Sequence, residues 1–285
     1  MFIDSHAHLF FKEFGGDLGD VIRRAGDAGV ECIVVPGTDL ETSREAVGLA
    51  ERFEQIYACV GFHPHEAAKA DGESLLEIER LGSHAKVVAI GEIGLDYHYD
   101  YSPRDKQREV FSVQIDIARR QNLPVVIHSR EAESDTLNIV EGKLREETPW
   151  RPAGGGEDGL APLPKGVFHC FPGDEEMARR VIGWGFCISS PRPVTFGSKP
   201  QKPNMMAEVV SRVPLDHILL ETDSPYLSPV PLRGRRNEPS HIPIIAQKVA
   251  DLRGISVDEV GRATSSAARR LFGINPGLQT IERVP

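Results

Sequence analysis

Short apolar runs alternate with longer segments of helical period eight times along this chain, and few architectures accommodate that rhythm. The runs fall at residues 2–6, 32–36, 56–61, 87–92, 124–128, 166–169, 186–189 and 218–223. Most are apolar at consecutive positions, as expected of parallel strands covered by helices on both faces. Between them, apolar residues recur at i, i+3, i+4 and i+7. Leu18, Val21, Ile22 and Ala25 form one such set, and Ala46, Leu49, Ala50 and Phe53 a second. Val110, Val113 and Ile117 line a third helix, and Val260, Ala263 and Ala267 a late one. Eight strand–helix units in 285 residues predict an α/β fold closed into a (β/α)8 TIM barrel, read as one domain over residues 1–285. An open doubly wound sheet is the alternative, because periodicity does not encode closure.

One stretch breaks the rhythm. Between Thr148 and Gly166 lie Pro149, Pro152, Pro162, Pro164 and the run Gly154-Gly155-Gly156. That composition predicts a loop without regular structure. Following the helix after the fifth strand, it would enter the sixth strand from the face opposite a barrel's active site.

Bulk properties narrow the classes. The net charge of −9 argues against a broad basic face for duplex nucleic acid. Runs such as Ile33-Val34-Val35 are too short to cross a bilayer, and residues 1–6 carry no basic-then-apolar signal. Cys32, Cys59, Cys170 and Cys187 are widely spaced and read as reduced thiols, so a cytoplasmic location without a membrane is expected. No obligate protein partner is evident.

The chemistry gathers at strand ends. His6 and His8 close the first run, Glu92 the fourth, His128 the fifth, His169 the sixth and Asp223 the eighth. His63 and His65 follow the third run, and Glu221 lies two residues before Asp223. Residues i and i+2 of a strand face the same way, so both imidazoles of His6-Ala7-His8 can address one ion. Taken alone, each residue has an ordinary structural explanation. Five strands of eight ending in imidazole or carboxylate, at the edge where barrel active sites lie, point jointly to a metal centre. Six ligands exceed what one ion needs, and a carboxylate can bridge two. The economical arrangement places Glu92 between two divalent ions, with His6, His8 and Asp223 on one and His128 and His169 on the other. Mixed imidazole and carboxylate suits Zn, Mn or Ni, with Mg possible where water completes the shell.

Together these segments resemble the TatD family of metal-dependent deoxyribonucleases among the amidohydrolase-type barrels. The resemblance rests on Asp4-Ser5-His6-Ala7-His8, Gly61-Phe62-His63-Pro64-His65 and Gly91-Glu92-Ile93-Gly94-Leu95-Asp96-Tyr97. It continues through Ile127-His128-Ser129-Arg130, Phe168-His169-Cys170-Phe171, Glu221-Thr222-Asp223-Ser224-Pro225-Tyr226-Leu227 and Arg236-Asn237-Glu238-Pro239. It implies a Mg- or Mn-supported nuclease, often removing nucleotides from the 3′ end of single-stranded DNA, and the same division of ligands. The stretch 148–166 is longer than the family pattern suggests.

For phosphodiester hydrolysis, a water activated by the ions would lose its proton to Asp223 or Glu221. His63 would act on the scissile phosphate, beside His65. Arg130 and the group Arg233, Arg235 and Arg236, with Asn237, would hold flanking phosphates. Two rivals stand against this reading. One is an ester or amide hydrolase on the same barrel, including one acting on aminoacyl esters of RNA. The other is a metal-dependent nucleic-acid-binding protein without catalysis. A carboxylated lysine bridges the metals in many related barrels; Glu92 in that place favours the nuclease, and intact acidic residues disfavour loss of chemistry.

Overall fold

The computed structural model describes residues 1–146, 150, 163–190, 192–195 and 204–274. Its eight strands are β1 (Phe2–Asp4), β2 (Val30–Pro36), β3 (Ile56–Val60), β4 (Val87–Asp96), β5 (Val125–Arg130), β6 (Gly166–Phe168), β7 (Phe186–Ser190) and β8 (Ile218–Leu220). They pair in sequence order, every neighbour parallel. The helices between them are α1 (Leu18–Asp27), α2 (Leu40–Arg52), α3 (Gly72–Gly82), α4 (Arg104–Arg120), α5 (Glu133–Leu144), α6 (Glu175–Gly183) and α7 (Met205–Arg212), and α8 (Ile242–Arg253) and α9 (Val257–Phe272) follow β8. Capping boxes built by Asp39, Asp71 and Ser256 start α2, α3 and α9, satisfying amide groups that the first turn leaves open.

Closure, which periodicity could not foresee, is made by hydrogen bonds along the β1–β8 seam. The Ser5 amide donates to Leu220 O at 3.0 Å, the Asp223 amide to His6 O at 2.9 Å and the His8 amide to Ser224 O at 2.8 Å. The buried Asp4 carboxylate fastens the same seam, accepting from the Thr222 amide at 3.0 Å and hydroxyl at 2.6 Å. The open-sheet alternative is thereby set aside.

Strand parity sorts the apolar side chains into two cores. Ile33 and Val35 of β2, Val125 and Ile127 of β5, and Ile218 and Leu220 of β8 pack with the surrounding helices. Their alternates Cys32, Val34, Val126 and Leu219 join Ile3, Cys59, Val167 and Cys187 with Ala267, Ala268, Leu271 and Phe272 of α9. In β5 the inward parity passes from Val126 to His128, so the strand itself delivers the imidazole to the lumen. The cysteines are free, and Cys32, Cys59 and Cys187 are buried. Among the described residues no helix is long and apolar enough to cross a membrane.

Several boundaries differ from the sequence reading. β1 stops at Asp4 and β8 at Leu220, so His6, His8 and Asp223 stand on the segments that follow these strands. β4 and β5 run on to Asp96 and Arg130, which puts Glu92 and His128 inside strands rather than at their ends. Most of the Pro/Gly-rich stretch 148–166 lies outside the described residues. Trp150, within it, is buried edge-on against Phe186 at the entry to β7, and the Lys165 amide donates to Gly185 O at 2.8 Å. Both contacts lie at strand starts, the face opposite the site.

Candidate metal centre

Glu92 is buried in the lumen, and its two carboxylate oxygens look in different directions. Oε2 lies 3.3 Å from His6 Nε2 and 3.7 Å from His8 Nε2. Oε1 lies 2.9 Å from His128 Nδ1, 3.0 Å from His169 Nε2 and 3.5 Å from His63 Nε2. Asp223 closes the first group, its Oδ1 at 3.5 Å from His8 Nε2 and 3.9 Å from His6 Nε2. The expected six residues therefore meet at one place, three on one side of Glu92 and two on the other, with His63 as a further neighbour.

Local backbone chemistry makes these approaches feasible. His6 and His8 flank Ala7, which pairs with Ser224 beyond the end of β1, and their Nε2 atoms lie 3.2 Å apart. Asp223 takes a positive φ of 55°, turning its side chain back toward the lumen just past β8. Gly94, at φ 141°, lies so close to β5 that a Cβ there would stand 1.9 Å from the His128 carbonyl oxygen. Only glycine lets β4 run against β5 at this point.

Each imidazole on the second side is backed by a carboxylate. His128 Nε2 hydrogen-bonds Asp96 Oδ2 at 3.1 Å, and His65 Nε2 approaches the same oxygen at 3.0 Å. His169 Nδ1 lies 3.4 Å from Glu221 Oε2, while Glu221 Oε1 accepts the Cys170 amide at 2.7 Å. His6 stacks on His169, centroids 3.9 Å apart and planes within 12°. Such outer carboxylates fix the tautomer and ring orientation of metal-ligating histidines. Asp96 was not singled out as a site residue, although the even spacing from Glu92 along a continued strand is the signal that finds it.

Charge is dense here. Burial alone would raise the Glu92 carboxyl, yet the surrounding imidazoles of His169, His63, His6 and His128 hold it well below its usual range. Burial would likewise lower His169 and His128. The carboxylates of Glu92 and Glu221 raise the former well above an ordinary histidine, and Asp96 and Glu92 raise the latter. Asp223 is drawn down by His8, His169 and His6 against the opposing effect of burial. Burial pushes His63 well below an ordinary histidine. Its Nδ1 accepts the His65 amide at 3.1 Å, which leaves the proton on Nε2, the atom facing Glu92.

The donor set fits a cation. His128 Nδ1 sits 2.9 Å from Glu92 Oε1 without the alignment of a hydrogen bond, and it is a buried nitrogen without a hydrogen-bond partner. Facing imidazole nitrogens and carboxylate oxygens at these separations is the arrangement of a divalent-metal site. The groupings His6, His8, Glu92 and His63, Glu92, His128 each offer three ligand atoms within 4.8 Å of one another, as do His6, His169 and Glu221.

Other expected site residues sit elsewhere. Glu221, expected to share proton acceptance with Asp223, is fully buried behind His169 and holds that ring and the Cys170 amide. Arg236, expected on phosphate, donates to both oxygens of Asp17 at 2.8 and 2.7 Å and lies over the Phe14 ring. Asn237 is buried, donating to Thr222 O at 2.8 Å and accepting the Glu238 amide at 3.0 Å. Both brace the segment after β8 because their polar groups are already matched within the chain. His65 stands next to His63 and His128, and Arg130 lies at the rim with its guanidinium over Tyr99.

Comparison with known proteins agrees with this geometry. The family model for the TatD related DNase matches residues 3–273. The chain is 42% identical over 275 residues to the "uncharacterized metal-dependent hydrolase YabD" of Bacillus subtilis, covering 96% of this chain and all of that protein. It is 32% identical to the "3'-5' ssDNA/RNA exonuclease TatD" of Shigella flexneri, covering 95% of this chain and 98% of that one. The crystal structure of YJJV, a TatD homologue of Escherichia coli, superposes with a TM-score of 0.84 at 30% identity, covering 96% of this chain and 98% of that one. The chain thus belongs to the TatD family, and it is a metal-dependent hydrolase.

Proposed function

We propose that the protein hydrolyses phosphodiester bonds of single-stranded DNA, removing nucleotides from the 3′ end, with two divalent cations held on either side of Glu92. The observation that carries this reading is the division of Glu92: one oxygen addresses His6 and His8, the other His128 and His169. Asp223 completes the first set. Mg or Mn is the functional ion, and Zn or Ni fits the same ligands. Bound there, the cations would supply an acidified water and positive charge for the phosphoryl oxygens.

The chain's own residues supply the rest. Asp223, drawn down by its imidazole neighbours, is charged at neutral pH and accepts the proton of the attacking water. His63, kept neutral by burial and with its proton on Nε2, donates a hydrogen bond to a non-bridging phosphate oxygen. Glu221 and Asp96 hold His169 and His128 in place. Arg130, at the rim, meets a neighbouring phosphate. The names carried by the relatives from Shigella flexneri and Erwinia billingiae, both "3'-5' ssDNA/RNA exonuclease TatD", support the choice of substrate. A cytoplasmic location accords with these relationships and with the free cysteines.

The test is digestion of end-labelled single- and double-stranded oligonucleotides with Mg, Mn, Zn or Ni and with chelator. Stepwise shortening from the 3′ end of single strands, abolished by chelator, is expected. Oligonucleotides left whole under every ion, beside turnover of an ester or amide panel, would overturn the reading and leave the ester hydrolase in its place.

A further inference from the structure

Two tyrosines stand exposed at the rim beside His128, on the segment joining β4 to α4. Tyr99 is 47% and Tyr101 68% exposed, yet their rings are parallel within 2°, centroids 5.2 Å apart. The guanidinium of Arg130, at the end of β5, lies 4.8 Å from the Tyr99 centroid. The His65 ring meets Tyr99 and Tyr101 edge-on at 5.6 and 4.9 Å, and His65 in turn lies 6.5 Å from the His128 ring.

The rings are exposed without being loose. Asp96 Oδ1 accepts the amides of His98 at 3.0 Å and Tyr99 at 3.3 Å. Farther along, the buried Ser102 hydroxyl donates to His65 O at 2.7 Å, and buried Gln107 donates to Ser102 O at 2.9 Å. Arg104 clamps Asp100 with two bonds of 2.8 Å and donates to Tyr97 O. One carboxylate therefore ties the tyrosine segment through Oδ1 and the His128 ring through Oδ2. Among the described residues no carboxylate pairs with the Arg130 guanidinium, whose stacking on Tyr99 leaves its N–H edge available.

We infer that Tyr99 and Tyr101 form a stacking subsite for a nucleobase of the single-stranded substrate, with the Arg130 edge on the adjoining phosphate. The inference rests on the phosphodiesterase reading and adds where the strand is held. Stacked aromatic faces beside a guanidinium are how proteins hold unpaired nucleic acid without reading its sequence. A stacking site suits a chain of net charge −9, which lacks the overall positive field that would hold a strand by charge alone. Duplex DNA keeps its bases stacked on one another and offers this subsite nothing, so the preference is for unpaired ends.

The experiment measures kcat and KM on single-stranded oligonucleotides carrying one abasic position, scanned relative to the cleaved bond. Tyr101→Ala should raise KM on the unmodified strand about 5- to 150-fold, and Tyr101→Trp should restore it. In the unsubstituted protein an abasic residue at one fixed position should raise KM by a similar factor. Tyr101→Ala should show no further rise there, and equal bound metal in all three proteins confirms an intact centre. Cleavage by Tyr101→Ala at the original KM, or an abasic penalty equal in both proteins, would overturn the stacking subsite alone. Failure of the unsubstituted protein to cut any oligonucleotide would overturn it together with the phosphodiesterase reading.

Discussion

Asp96→Asn changes one atom and separates orientation from ligation. Asp96 Oδ1 accepts two backbone amides, while Oδ2 takes the His128 Nε2–H. If the asparagine oxygen keeps the backbone amides, its NH2 group faces His128 Nε2. That nitrogen must then become the acceptor, and the ring proton moves to Nδ1. Nδ1 is the atom 2.9 Å from Glu92, where a cation needs a lone pair. If the amide turns over, its NH2 meets two N–H donors, and the tyrosine segment loses its anchor. Either way the cation on the His128 side is weakened, by about 10- to 100-fold or roughly 1.4–2.8 kcal/mol. Calorimetric titration with Mn should resolve two affinities in the unsubstituted protein. In the variant, the one assigned to His6, His8 and Asp223 should stay within about twofold. Unchanged affinity at both sites, or equal loss at both, would refute the argument that Asp96 acts through His128.

Other substitutions probe different links. Glu92→Ala removes the shared ligand, so bound metal should fall at both sites and turnover drop more than about 100-fold, with far-UV circular dichroism retained. His63→Ala should lower kcat about 100- to 1,000-fold while metal content by atomic spectroscopy holds, since Nε2 carries a proton rather than a lone pair. Gly94→Ala, whose Cβ would collide with the His128 carbonyl, should cost at least about 3 kcal/mol in urea unfolding. Arg236, with Arg24 behind it, holds the Asp17 carboxyl down to about 2. A depressed carboxyl stabilises above its unfolded value near 4 and loses that contribution as the pH falls toward 2. The stability gap between the protein and Asp17→Asn, measured by urea unfolding, should therefore be present at pH 6 and close by about pH 2; a gap independent of pH would contradict it.

The barrel and the gathering of imidazoles and carboxylates in its lumen were legible because both leave short-range marks. Buried parallel strands read as unbroken apolar runs, and a histidine directly after such a run shows itself at once, as in Ile127-His128. What escaped depends on neighbours distant in sequence. Glu221 read as a proton acceptor because its parity with Asp223 was visible and its burial behind His169 was not. Arg236 and Asn237 look available for phosphate in the sequence, but Asp17, 219 residues from Arg236, and the Thr222 carbonyl across the turn after β8 occupy them. His6 and His8 meet as residues two apart on one extended segment would, with Ala7 between them pairing with Ser224 beyond the end of β1. Tyr99 and Tyr101 carry no sequence mark at all, since only the tertiary course of their segment places them next to His65.

The seam joining β1 to β8 also sets when this centre can exist. Asp4 reaches Thr222 across 218 residues of chain, and the same closure brings His6 and His8 to Asp223. Contacts so distant in sequence are costly to close and form late in folding. A chain emerging from synthesis presents His6 and His8 long before Asp223 exists, so the first cluster cannot be completed until the last strand is in place. The step that shuts the barrel is thus also the step that gathers these side chains into one cluster.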